Sequence, residues 1–375
     1  MVKGFHLTLM IGPAVAVPVP PSVLDALTSL SVTTKSDGGS GFQLEFTLSN
    51  RSPLQTIFLL AGGAPVPLVR VVIVVTVNGV QEVLMDGVMT NHEIRPGADG
   101  AHSTLTVTGE DLSRVMDYLD FTGFPFPGMP PEARVALILA KYAGLGIIPL
   151  VIPSVLIDLP IPTDRIPVQQ GKDLAYIRSL ADEVGYVFYV EPGPVPGASV
   201  AYWGPEIKVG VPQPALSTNL DAHTNVESLT CSFNSQGRTL PVVFIQESVT
   251  KAPIPIPIPD ITPLNPPLGL VAPLPLNLEP ISESAKYSPV RAAAIGLAKA
   301  ARSSEAATVQ GSLNVARYGR VLKARRLVGV RGVGQAFDGL YYVKSVTSKI
   351  KRGEFKQDFS LSRNGLLSTV PQVPV

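Results

Sequence analysis

The stretch GVRGVGQAFDGLYYVKSVTSKIKRGEFKQDFSLSRNG, Gly329 to Gly365, decides how this chain is read. It alternates as a hairpin. One strand centres on Tyr342, Val343 and Val346, a turn falls at Arg352 and Gly353, and a return strand carries Phe355, Phe359 and Leu361. Successive strand side chains point to opposite faces, so period-two alternation bounded by glycine and polar residues predicts half-buried strands. The charge is uneven as well. Leu313 to Asn364 holds twelve Lys or Arg against three Asp or Glu, an excess of nine in a chain whose net charge is only +1. A basic β element on an acidic body predicts a surface that meets a particular partner. The cations that could form such a surface are Arg317, Arg320, Lys323, Arg325, Arg326, Lys344, Lys349, Lys351, Arg352 and Lys356.

Outside that stretch, 375 residues allow two or three domains. Apolar residues make up 45% and charged residues only 16%, below the roughly 25% of ordinary soluble domains. So little charge predicts extensive burial against copies or partners; a generous β core is the plainer alternative. The single Cys231 excludes an intrachain disulfide framework and an all-cysteine metal cage. The apolar stretches Leu54–Val77 and Val135–Ile157 are interrupted by Arg70, Lys141 and prolines, so no membrane span is expected. The N-terminus imitates a signal peptide weakly, but His6 and Pro13 break its apolar run, and an ordered or docking arm is the expectation.

Phe42, Leu44, Phe46 and Leu48 alternate as one strand. Pro67–Val77 is rich in β-branched residues and runs into Asn78-Gly79, a hairpin turn signal, with VQEVLMDGV returning and STLTVT adding another strand. Thr108 and Asp111 then mark a capping-box-like start for a short helix through Leu119. Pro131 opens a second helix with Gly144 as its stop, and KDLAYIRSLADEVG a third that ends at Gly185 and feeds the strands YVFYVEP and SVAYWG. From Pro214 the pattern is β again. Lys251–Pro280, rich in alternating proline, predicts a polyproline-like or edge-hugging loop, and Ser288-Pro289 opens an Ala-rich helix.

Little chemistry is visible. The histidines at 6, 92, 102 and 223 are scattered without metal-ligand spacing, and no catalytic, cofactor-binding or metal residues are assigned. GVRGVGQ lacks Walker spacing and leads into a strand, so its glycines predict a bend rather than a nucleotide loop. Tyr318, Tyr341, Tyr342, Phe355 and Phe359 interleave with cations as single-strand nucleic-acid binders require, yet a solvated two-faced sheet gives the same pattern. Carboxylates distant in sequence could still meet as a hydrolytic pair, which keeps a peptidoglycan-cleaving enzyme open as a rival. A receptor- or polysaccharide-binding β module is the other rival, with only Trp203 as a ready platform.

Three segments together resemble the baseplate hub proteins of contractile tails, the phage late control protein D family and the N-terminal half of VgrG proteins. They are VQQGKDLAYIRSLADEVGYVFYVEPG (Val168 to Gly193), DAHTNVESLTCSFNS, and the closing FDGLYYVKSVTSKIKRGEFKQDFSLSRN with its final Phe and Arg. The resemblance implies a β-rich α+β fold. Two tube-like β-barrel domains, 1–110 and 215–375, would flank a helix-containing α+β insertion, 111–214, and the chain would assemble as a ring-shaped trimer. The second β domain would include the Pro-rich loop 251–280 and the helix 288–303. It further implies a structural, non-enzymatic hub without cofactor, joining a hexameric inner tube to a trimeric spike. The implied partners are a homotrimer, the tube ring, other baseplate components, and cargo or DNA in the lumen, with the basic residues named above either lining that lumen or gripping the first tube ring. Ending at Val375 without a spike β-helix, the sequence predicts a separate spike protein. Such a particle would be assembled in the cytoplasm as part of a virion or injection machine, with later release to the outside left open.

Overall fold

In the computed structural model the deciding hairpin forms β19 (Gly339–Lys351) and β20 (Glu354–Arg363), turning at Arg352 and Gly353. The structure describes residues 4–48, 54, 58, 68–97, 103–154, 166–236, 239–246, 253–257, 265–274, 277–280, 296, 300 and 305–370. Ahead of the hairpin the first β region contains β1 (Phe5–Gly12), β2 (Val17–Pro18), β3 (Leu27–Lys35), β4 (Gly41–Leu48), β5 (Arg70–Val77), β6 (Val80–Pro96) and β7 (Ser103–Asp111). A short helix α1 (Pro21–Ala26) precedes β3. Asn78 and Gly79, with φ of 49° and 83°, make the expected tight turn between β5 and β6.

An insertion follows, with α2 (Pro131–Ala140), β8 (Ile147–Val151), α3 (Asp173–Val184), β9 (Val187–Pro192) and β10 (Ser199–Gly204). Its helices cover a three-stranded sheet ordered β8–β10–β9, and its core centres on Trp203, Ile177, Leu139 and Phe126. Two helix boundaries differ from expectation. Asp111, rather than Thr108, caps the helix after β7, accepting from the Ser113 N–H at 2.9 Å, and the helix is 3₁₀ over Leu112–Asp117. Gly144 does not stop α2. The chain continues through a 3₁₀ turn to Gly146, which holds the left-handed conformation.

The second β region contains β11 (Gln213–Ser217), β12 (Val226–Phe233), β13 (Thr239–Gln246), β14 (Pro253–Pro257), β15 (Gly269–Val271), β16 (Asn277–Pro280), β17 (Ala307–Asn314), β18 (Leu327–Arg331), the hairpin, and β21 (Leu366–Ser368). Part of the Pro-rich segment is edge strand, not free polyproline. β14 pairs antiparallel with β13, its Ile254 and Ile256 opposite Ile245 and Val243. Alternating prolines turn every missing N–H to the same side, so the isoleucines can supply the ladder. The helix expected over 288–303 lies outside the described residues, apart from Gly296 and Ala300.

The protein is mostly β with few helices, as expected; among the described residues the two β regions show no closure into separate barrels. They share a 13-stranded sheet and one hydrophobic core in which Phe5 of β1 packs edge-on against Phe355 of β20. The join is β19, long enough to pair with β18 through its first half and with β3 through its second.

The two regions repeat each other. The first orders its strands β3–β4–β7–β6–β5–β1, the second β12–β17–β20–β19–β18–β11, the same connectivity in both. Irregularities recur at matching places. β3 slips against β4 between Leu27 and Ser29, and β12 against β17 between Val226 and Ser228. β6 bulges against β7 between Met89 and Asn91, and β19 against β20 between Val343 and Ser345. Even single hydrogen bonds correspond: Met89 N–H donates to Val69 O and Val343 N–H to Arg326 O, both at 2.9 Å. One departure is that β1 lies antiparallel to β5, whereas β11 is parallel to β18.

Candidate assembly surface

The seam inside the chain shows what a join between these repeats needs. Leu30 lies opposite Ile350 and Val32 opposite Ser348, all nearly inaccessible, and they continue the core. The other face is polar, with the Thr33 and Thr347 hydroxyls 3.0 Å apart. Two corresponding edges have no such partner among the described residues. β12 pairs only with β17, and β6 beyond Met89 pairs only with β7.

Half of the basic candidates are held in ion pairs. Lys356 pairs with Glu227 at 3.1 Å and Glu354 at 2.9 Å, Lys349 pairs with Asp358, and Lys323 with Glu82. Arg325 stacks 3.8 Å from the Tyr189 ring centre and reaches Glu191 at 3.6 Å. Lys344 sits in a half-enclosed cluster with Glu305 at 2.9 Å and Glu206 at 3.9 Å, and Lys208 joins both acids at 3.4 Å. Burial pulls the Lys344 pKa down, but the two glutamates outweigh it and hold the ammonium above the ordinary lysine range. Burial, then Glu191, pushes the Tyr189 phenol up against the opposing Arg325. The excess of cations in this stretch is therefore met in part by acids from elsewhere: Glu82, Glu191, Glu206, Glu227 and Glu305.

The remaining candidates divide by position. Arg317, Arg320 and Arg326 are exposed and make no ion pair among the described residues. Arg352 donates to Asp25 O at 2.7 Å, and exposed Lys351 lies near enough to Glu354 to lower that acid's pKa, after the stronger effect of Lys356. Arg317, Arg320, Lys351 and Arg352 fall at one end of the sheet. There Asn78 donates to Gly319 O at 2.9 Å, and residues 314, 316 and 351–353 surround a hollow with Phe5. Lys344 and Arg325 lie elsewhere, against the insertion.

Two buried arginines escaped the sequence reading as structural residues. Arg363 donates to the carbonyls of Gly365, Ala336 and Asp338 at 2.7, 2.8 and 3.1 Å and lies over the Tyr341 ring, holding the Gly332–Asp338 bend. Arg70 forms a two-pronged pair with Asp86, both contacts 2.7 Å, and also donates to Gly197 O at 3.0 Å. Asp86 accepts from Ser199 Oγ at 3.0 Å, so this pair fastens the first repeat to the insertion. The signal available for Arg70 was a lone charge opening the β-branched run RVVIVVTV, whereas Arg363, in EFKQDFSLSR with three other charges, gave none. Among the described residues no group of three or more His, Cys, Asp and Glu could hold a metal ion, and no helix is long and apolar enough to cross a membrane.

No family model matches the sequence, and no curated protein matches it. Solved structures do match. A tail protein from Neisseria meningitidis MC58 superposes with TM-score 0.64 at 12% identity, covering 97% of this chain and 98% of its own. The 43 kDa tail protein of prophage MuSo2 from Shewanella oneidensis gives 0.58 at 15%, covering 96% and 98%. The E. coli c3393 protein, a type VI secretion component described as similar to T4 tail proteins gp27 and gp5, gives 0.52 at 12%, covering 93% and 78%. Coverage of nearly the whole chain at identities this low shows the fold alone: the chain has the fold of these tail proteins and of this type VI secretion component.

Proposed function

We propose that this chain is the structural hub of a contractile tail or injection particle, a trimeric adaptor between a hexameric inner tube and a trimeric spike. The observation that carries the reading is the internal duplication. Each chain supplies two repeats of one topology, so a trimer would offer six similar repeats to a sixfold ring while the insertions keep threefold symmetry. Such an adaptor works by rigid burial and symmetry matching. It requires no reaction, and the occupied charges of the basic stretch fit cohesion better than catalysis.

The basic end formed by Arg317, Arg320, Lys351 and Arg352 is the face we assign to a neighbouring ring or to the lumen. Exposed charge there would steer docking with modest direct stabilisation. The assembly test is mass measurement of the purified full-length chain, alone and with its tube and spike proteins. A trimer, alone or on partner addition, is expected. A stable monomer that binds neither partner would sink the reading.

A further inference from the structure

We infer that β12 of one copy pairs antiparallel with the free half of β6 in the next copy, with Cys231 directly opposite Ile94. The evidence is the seam within the chain. β3 is the first strand of its repeat and pairs with the second half of β19. Its counterpart is β12, and the counterpart of β19 is β6; neither counterpart edge is occupied among the described residues.

The correspondence is residue by residue. Leu27 of β3 opposes Phe46 and Val226 of β12 opposes Leu313, each followed by the same one-residue slip, so Leu30 matches Leu229 and Val32 matches Cys231. The sequences are identical at three of nine positions, Ser29/Ser228, Leu30/Leu229 and Ser36/Ser235, in TSLSVTTKS at Thr28–Ser36 and ESLTCSFNS at Glu227–Ser235. The matching bulges of β6 and β19 place Asn91 on Ser345, His92 on Val346 and Ile94 on Ser348. Transferring the seam, in which Ser348 faces Val32, sets Ile94 against Cys231, His92 against Phe233 and Pro96 against Leu229. The Ser36 N–H bond to Lys344 O, 2.7 Å within the chain, becomes Ser235 N–H to Thr90 O between copies.

The side chains agree with that register. Leu229, Cys231 and Phe233 are only partly buried against the main core, and Ile94 is 41% exposed. Pairing would bring these apolar groups together and extend the core across the junction. The opposite face would be polar on both strands, with Glu93 by Ser232 and Arg95 by Thr230. A slip of one residue would turn each apolar set outward, so the register is strongly specified. The contact is head-to-tail, one edge type against another, which is the arrangement that closes rings. The inference rests on the proposed hub only for the number of copies in the ring.

The chain's single cysteine makes the test direct. Residues facing each other across antiparallel strands have Cα atoms about 4.5–5.5 Å apart, within the roughly 4.4–6.8 Å a disulfide accepts. Full-length Ile94→Cys, at a surface position, is oxidised and run on a non-reducing gel. The expected result is a ladder from one to three chain masses, with the 94–231 disulfide confirmed by peptide mass spectrometry. Wild type, Ile94→Cys in a Cys231→Ser background, and Glu93→Cys, which points to the other face, should stay at the monomer position. A trimer by native mass that gives no 94–231 linkage overturns the strand pairing and leaves the hub reading standing. A 94–231 linkage confined within one chain also overturns it, since the two edges would then close on themselves. A monomer with neither linkage nor partner binding defeats both.

Discussion

The Thr33 hydroxyl meets the Thr347 hydroxyl at 3.0 Å across 314 residues of chain. The strands that carry them, β3 and β19, make the first and last β regions one sheet, so the ends of the sequence must meet before the core is complete. Beneath the threonines Leu30 faces Ile350, both almost fully buried. Leu30→Ala or Ile350→Ala should each lose about 2–5 kcal/mol, the usual range for truncation in a packed core. Because the two side chains share one cavity, the double variant should lose less than their sum. Denaturant titration checks this; additive losses would mean that the two halves pack independently. Refolding should be slow, since so distant a pairing is entropically late.

Arg70 and Asp86 form the deepest ion pair described, at 5% and 0% side-chain exposure. Removing one partner strands the other charge without solvent, so Arg70→Ala should cost about 3–5 kcal/mol. Replacing both, Arg70→Met with Asp86→Leu, should recover much of that loss, leaving the Ser199 hydroxyl and the Gly197 carbonyl without partners. Thermal melts of the two variants distinguish these outcomes. A single variant as stable as wild type would refute a structural role for the pair.

Much of this architecture can be read from the residues, and the failures have physical causes. The closing hairpin, the Asn78-Gly79 turn and α3 with Gly185 are local, and their periodicity and caps survive in the fold. β8 was missed because IIPLV is short and contains proline, and only its parallel pairing with β10 makes it a strand. The surroundings of the basic residues are illegible in the sequence for a different reason. Charge counted along the chain cannot see that Lys323 will meet Glu82 or Lys356 Glu227. The duplication was legible in SLS and SLT at residues 29–31 and 228–230 but carries weight only when both strands are seen to slip beside it.

Arg363 ends β20 with its guanidinium beneath the Gly332–Asp338 bend. Three carbonyls depend on it, and hydrogen bonds to a charged group are each worth about 1.5–3 kcal/mol. Arg363→Met should therefore destabilise by at least about 2 kcal/mol and should loosen the bend before the sheet. Arg363→Lys keeps the charge without the planar fork and should fall between. Limited proteolysis mapped by mass spectrometry reads the local effect. Cleavage unchanged within residues 332–338 would count against the tether.

The cluster of Lys344, Glu305 and Glu206 predicts how stability changes in alkali. Burial acts against the Lys344 charge, but the glutamates raise its folded pKa above the ordinary value of about 10.4. As pH rises the unfolded chain releases this proton first, so the contribution is complete below that value and is lost through the folded pKa. The neighbouring phenols act with the same sign. Burial pushes Tyr202 up to about 12 and raises Tyr342 and Tyr189 as well, whereas unfolded tyrosines ionise near 10. Melting temperature should therefore hold steady above neutrality and fall once pH exceeds about 10. Lys344→Met leaves Glu305 and Glu206 less compensated. It should lower the melting temperature at neutral pH and make the alkaline decline shallower. Tyrosinate absorbance should rise together with the loss of circular dichroism. Smooth ionisation of every tyrosine near its ordinary pKa, with the dichroism intact, would show these phenols to be solvated and the prediction mistaken.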